Sequence, residues 1–173
     1  GSIINQLTKG EWEVKRIVDV DEENQKVYFI SNKETVFENR FYSVNFDGSD
    51  LSLLTEESGM HSVRMLPNKD GFIDSYSSID TPTRHILKDL NGKNILVLKE
   101  TNKSQFEAYD WTYPQIIKFS STDGQVMLDG IVTYPPNYKK GNRYPVIVHG
   151  YGMPGTQIVY NRWGSTWNQY LAH

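Results

Sequence analysis

The sequence has no cysteine, which excludes disulfides and thiolate metal sites. It also has no apolar run near the roughly 20 residues that a membrane-spanning helix needs. Basic residues are not in excess: 18 Lys and Arg stand against 21 Asp and Glu, a net charge of −3. That balance offers no basic footprint for nucleic acid. There is no initiating Met and no signal peptide. Gly1-Ser2 reads as a cloning remnant on an excised segment, which leaves room for a targeting signal upstream. What is plentiful is aromatic surface, 13% of residues with 11 Tyr among them. Half-buried β surfaces favour such side chains, since a Tyr packs its ring and keeps its hydroxyl wet. Composition therefore points to β structure in a chain whose 38% hydrophobic and 23% charged content is ordinary for a globular protein.

The first hundred residues repeat themselves. Tyr28-Phe29-Ile30-Ser31-Asn32 resembles Phe72-Ile73-Asp74-Ser75-Tyr76, and Phe41 to Glu56 lies over His85 to Glu100 at an offset of 44. The pairs Asp47-Gly48 and Asn91-Gly92 coincide in that alignment. Asx-Gly flanked by apolar alternation is the strongest short hairpin signal. Two four-stranded units at this period match propeller blades. In the first, Val27–Ser31, Tyr42–Phe46 and Leu51–Thr55 are predicted strands. The innermost strands align poorly, with Gly10 and Gly59 49 residues apart. Two blades do not close a ring, so further blades are expected upstream. A small independent β-sandwich is the plainer alternative.

After Glu100 the texture changes. Residues 101–113 begin with a polar stretch, Thr101 to Gln105, and read as a linker. Pro114 to Phe119 and Val126 to Tyr134 are predicted strands joined through Thr122-Asp123-Gly124, and Pro135-Pro136 stops the second. Tyr144 to His149 is a continuous apolar run, as in a strand buried on both faces. Trp163, Trp167, Tyr170 and Leu171 then recur at helical spacing over Trp163 to His173. A buried strand, a glycine-rich turn and a helix form the opening of a doubly wound α/β layer.

Chemistry concentrates in Val146 to Gly155. Gly150, Gly152 and Gly155 are read as permitting a tight turn with unusual dihedrals, and Tyr151 stands in its middle. A hydroxyl aimed at a tetrahedral oxyanion is typically worth a few kcal/mol of transition-state stabilisation. Taken alone, Tyr151 also fits an ordinary turn tyrosine. Pro135-Pro136-Asn137-Tyr138, Tyr144-Pro145, Tyr151-Gly152-Met153-Pro154-Gly155-Thr156-Gln157, Trp167 and Tyr170-Leu171-Ala172 together resemble the dipeptidyl peptidase IV family of the S9 prolyl oligopeptidase clan. The resemblance is sharpest over residues 131–172. It implies that Tyr151 supplies the oxyanion-hole hydroxyl, as the tyrosine of the family's Tyr-Gly/Ala-Gly-Pro motif does. Met153 departs from that motif's usual glycine.

The resemblance implies a mostly β fold: the last blades of a β-propeller, then the first strands and helix of an α/β-hydrolase domain. Residues 3–100 would be propeller, 101–113 linker and 114–173 hydrolase. It implies a serine exopeptidase that releases amino-terminal dipeptides, Xaa-Pro or Xaa-Ala, from peptide substrates by acyl transfer. No metal or organic cofactor is required. Homo-oligomerisation and a secreted, periplasmic or membrane-anchored location are compatible with it. Another peptidase of the clan and a propeller scaffold with a degenerate hydrolase part are the alternatives. No Gly-x-Ser-x-Gly elbow occurs, so the nucleophile and its partners are expected beyond His173 and the chain alone is expected to be inactive. His149 is assigned no catalytic role. Glu22-Glu23 invites assignment as the family's amino-terminus anchor, but it sits in a polar turn where an acidic run is normally solvated. Asn102-Lys103-Ser104 is a formal glycosylation triplet of a kind common by chance.

Overall fold

Tyr28, Phe29 and Ile30 are successive apolar residues, and a strand sends successive side chains to opposite faces. A sheet built on them needs cover on both sides. The structure, a computed structural model, describes residues 4–164 and 166–173, so Gly1-Ser2 and its reading as a remnant lie outside the described residues. Strands β1 (Val14–Asp21), β2 (Lys26–Ser31), β3 (Arg40–Asn45) and β4 (Ser52–Leu53) form one antiparallel meander. Strands β5 (Met60–Met65), β6 (Gly71–Ser77), β7 (Arg84–Asp89) and β8 (Asn94–Glu100) form a second. Arg40 and Arg84, 44 residues apart, begin β3 and β7, as the repeat predicts. Gly10 and Gly59 precede the first strand of each sheet with nearly equal φ, 148° and 153°.

One face of the first sheet, with Tyr28, Ile30 and Phe41, packs with Leu54 against Val63 and Phe72 of the second. Phe41 meets Phe72 edge-on at 4.8 Å. Phe29, Tyr42 and Val44 occupy the opposite face and are closed over by Leu7 and Trp12. Fully burying a side chain of this kind is worth roughly 1.5–3 kcal/mol, so these two clusters are the main hold on the blades.

Both Asx-Gly pairs lie in hairpin loops. The Gly48 N–H donates to the Asn45 carbonyl at 2.9 Å and the Gly92 N–H to the Asp89 carbonyl at 3.0 Å. Each glycine closes a tight turn with positive φ, 86° and 82°. These loops are longer than a two-residue turn, and β4 is correspondingly shorter than the expected 51–55.

Beyond the second sheet come α1 (Ser104–Glu107), β9 (Gln115–Ser120), β10 (Met127–Val132) and α2 (Thr166–Ala172). β9 and β10 pair as an antiparallel hairpin through the predicted turn, where the Asp123 carboxylate accepts from Ser121 Oγ at 2.6 Å and from the Gln125 N–H at 3.1 Å. The stretch after Glu100 is less polar in space than in sequence. Trp111 stacks on Trp163 at 5.1 Å, and Phe106 lies 5.1 Å from the same ring.

Two expected elements differ. The helix predicted from Trp163 starts at Thr166, because Trp163 belongs to that aromatic cluster. Its buried residue is Gln169, whose amide donates to the Thr112 carbonyl at 2.6 Å and accepts from the Thr112 N–H at 3.0 Å, while the predicted apolar stripe of Trp167, Tyr170 and Leu171 faces outward. Tyr144 to His149 is not a strand either. Val146, Ile147 and Val148 are 79%, 70% and 87% exposed, because no described strand pairs with them to form a ladder.

Candidate functional site

The tyrosines that flank this apolar run come together. Tyr134 and Tyr138 have ring centroids 4.4 Å apart, Tyr138 and Tyr144 5.4 Å, and the Tyr144 hydroxyl accepts from the Lys139 N–H at 2.9 Å. The Pro-Pro-x-Tyr and Tyr-Pro segments are thereby folded onto each other ahead of the glycine loop.

Within the loop Tyr151 is 53% exposed and its hydroxyl donates to Met153 Sδ at 3.0 Å. A thioether is a weak acceptor, so that bond costs little to exchange for a stronger one. Met153, where the sequence departs from the usual glycine, is thus the present partner of the candidate catalytic hydroxyl. Unusual backbone geometry is confined to Gly155, with φ +76°, whereas Gly150 and Gly152 lie outside the left-handed region, which corrects the expectation for those two. His149 is exposed.

The chain leaving the loop is pinned across both sheets. Gln157 Nε2 donates to the Val36 carbonyl at 2.6 Å, and the Asn161 N–H donates to the Phe37 carbonyl at 2.9 Å. Asn161 Nδ2 donates to Glu38 Oε1 at 2.8 Å and to Ser58 Oγ at 3.3 Å, while Asn161 Oδ1 accepts from the Ile79 N–H at 3.0 Å. Val159 is buried between these ties. Glu38 is itself 4% exposed. Arg40 donates to its Oε2 from Nε at 2.8 Å and from the guanidinium terminus at 2.6 Å, and Ser58 Oγ donates to Oε1. Burial alone would push this carboxyl up, but the bonds from Ser58, Asn161 and Arg40, with the Arg40 charge, outweigh it and hold the carboxyl below its ordinary value.

A second charged cluster lies between the sheets. Lys88 Nζ is 2.9 Å from Glu57 Oε2 and 3.6 Å from Asp74 Oδ2. His61 Nδ1 is 2.9 Å from Asp74 Oδ2, and its Nε2 is 2.8 Å from the Glu57 carbonyl. Alternation puts Asp74 on the same face as Phe72, toward the first sheet. Neither cluster is legible in the sequence. Glu38 and Asn161 carry no periodic or motif signal.

The remaining sequence candidates stay apart from the loop. Glu22 and Glu23 lie exposed in the β1–β2 turn. Asn102 is exposed, its side chain accepting from the Ser104 N–H at 3.0 Å. Among the described residues no group of three or more His, Asp and Glu is placed to hold a metal ion, and no helix is long and apolar enough to cross a membrane.

Against known proteins, residues 1–83 match the family described as the dipeptidyl peptidase IV (DPP IV) N-terminal region. A probable dipeptidyl peptidase 4 of Aspergillus flavus is 28% identical over 161 residues, covering 91% of this chain and 21% of that protein. A probable dipeptidyl-aminopeptidase B of Emericella nidulans is 33% identical over 175 residues, covering 96% of this chain and 19% of that protein. The crystal structure of Porphyromonas gingivalis dipeptidyl peptidase 4 shares the fold with a TM-score of 0.90 at 23% identity, covering 98% of this chain and 24% of that one. A putative dipeptidyl aminopeptidase IV from Bacteroides ovatus gives a TM-score of 0.78 at 27% identity, covering 97% and 24%. The chain spans about a fifth of the length of the curated relatives it matches. Over residues 1–83 the chain is similar to the dipeptidyl peptidase IV N-terminal region, and over nearly its whole length it is similar to segments of proteins named dipeptidyl peptidases.

Proposed function

We propose that the protein containing this segment is a serine-type dipeptidyl peptidase that cleaves Xaa-Pro and Xaa-Ala dipeptides from peptide amino termini. The observation that carries the reading is the run of likeness to proteins named dipeptidyl peptidases over 91–96% of the chain, with the Tyr151-Gly152-Met153-Pro154 motif inside it. In this reading residues 3–100 are propeller blades, 101–113 a linker and 114–173 the opening of the hydrolase domain.

A serine supplied by another part of the protein attacks the scissile carbonyl and gives its proton to a histidine base. The Tyr151 hydroxyl donates to the oxyanion that forms, and the base returns the proton to the departing amine. Water then hydrolyses the acyl-enzyme. The segment's own contribution is the donor and the scaffold that carries it. On its own the 173-residue chain turns nothing over, since it holds no nucleophile elbow.

The full-length protein tests this with a panel of chromogenic peptides. Release from free-amino Xaa-Pro substrates, lost on amino-terminal acylation and on treatment with a serine-directed phosphonate, is the expected result. Preference for blocked or internal peptide bonds would assign another clan activity, and no turnover with an unreactive serine would leave a scaffold.

A further inference from the structure

Among the described residues, 149–156 make only local hydrogen bonds, Tyr151 to Met153 Sδ and the Thr156 N–H to the Met153 carbonyl. Hydrogen bonds to the two sheets begin in the strap that follows the loop. That strap is tied at Gln157 to the backbone before β3, and at Asn161 to both sheets at once. Asn161 engages both ends of its amide: Nδ2 donates to Glu38 and Ser58, and Oδ1 accepts from the Ile79 N–H. Its main partner is a buried carboxylate fixed on its far side by Arg40. At the same seam Asn39 bridges Met60, with the His61 N–H donating to the Asn39 carbonyl at 2.9 Å.

We propose that the Asn161–Glu38 contact is a latch that sets the position of the Tyr151 loop on the seam between the two blades, which makes Asn161 and Glu38 positioning residues. The proposal rests on the reading of Tyr151 as the oxyanion donor. Its physics is donor facing acceptor in a water-poor place, where a mismatch is expensive. Asn161→Asp keeps the shape but sets two carboxylates against each other. Adding Glu38→Gln restores the match in reverse: the new amide donates to residue 161 while its oxygen still accepts from Arg40. Rescue of one isosteric change by the other is specific to a direct contact.

The test uses the full-length protein with four sequences: wild type, N161D, E38Q and E38Q/N161D. Each is followed by hydrogen exchange across 151–163 and by kinetics on an Xaa-Pro substrate. N161D is expected to speed exchange of that segment and to lower kcat roughly 10- to 100-fold, the scale of a misplaced catalytic group, with KM changed much less. E38Q/N161D is expected to recover both. Unaltered exchange in N161D, or a double variant no better than N161D, overturns the latch. A loosened segment with wild-type kcat overturns the positioning role. If N161D does not fold, recovery of a cooperative melt in the double variant supports the pair and its absence overturns it. Should Tyr151→Phe leave kcat intact, the oxyanion reading fails by itself, and the exchange rescue still decides the latch.

Discussion

Glu38 stays ionised in a nearly closed site because three donors converge on it, and that makes its contribution pH-dependent. A carboxyl held below its ordinary value of 4.5 stabilises the fold above that value, and the contribution is lost as pH falls through the lowered one. Glu38→Gln removes it. The stability gap between wild type and this variant should therefore be widest above about pH 5 and shrink on acidification, as read by denaturant melts across pH. A gap that is constant down to acid pH would refute the assignment. Lys88 poses the complementary case, a buried cation between Glu57 and Asp74. Removing one side of such a cluster strands buried charge, so Asp74→Ala should cost on the order of 3–5 kcal/mol in chemical denaturation. At this scale the sequence was informative only where a motif concentrates signal, as around Tyr151. Glu38 and Asn161 are 123 positions apart, and no local pattern pairs an acid with a distant amide.

Among the elements, the hairpins were the most readable because their chemistry is local. The Asp89 carboxylate accepts from the Asn91 and Lys93 N–H groups, both at 2.9 Å, so the turn is written in five adjacent residues. Gly92 is required there by geometry: φ is +82°, and a Cβ would lie 2.2 Å from the Leu54 carbonyl oxygen. Gly92→Ala should cost about 1–3 kcal/mol from backbone conformation alone, with further loss as the hairpin shifts from the first sheet. A melt within a few tenths of wild type would contradict this. Tyr144 to His149 shows the opposite case. Its composition suits a strand buried on both faces, but a strand exists only through its neighbours, and none of the described strands is one. The start of α2 was misplaced for a related reason. Helical spacing includes Trp163, yet stacking on Trp111 from a remote segment holds that residue outside the helix.

For the molecule as a whole, apolar surface is left open in continuous tracts. All of β8 is exposed, with Ile95, Leu96, Val97 and Leu98 in succession, and β9 and β10 make a two-stranded sheet with both outer edges free of described partners. Exposed strand edges pair with other chains. The isolated 173-residue chain should accordingly self-associate, its apparent mass rising with concentration in sedimentation or light scattering. A monodisperse monomer with a cooperative melt would contradict that expectation. The blade repeat and family-like loop were visible in one sequence, because each is a pattern of adjacent residues; the way the strap joins them was not, because it depends on contacts across the seam. The central claim, that this segment carries the oxyanion donor of a dipeptidyl peptidase, is tested most directly by Tyr151→Phe in the full-length protein. It should lower kcat roughly 10²–10³-fold, with KM within a few-fold of wild type. An unchanged kcat would remove Tyr151 from the mechanism.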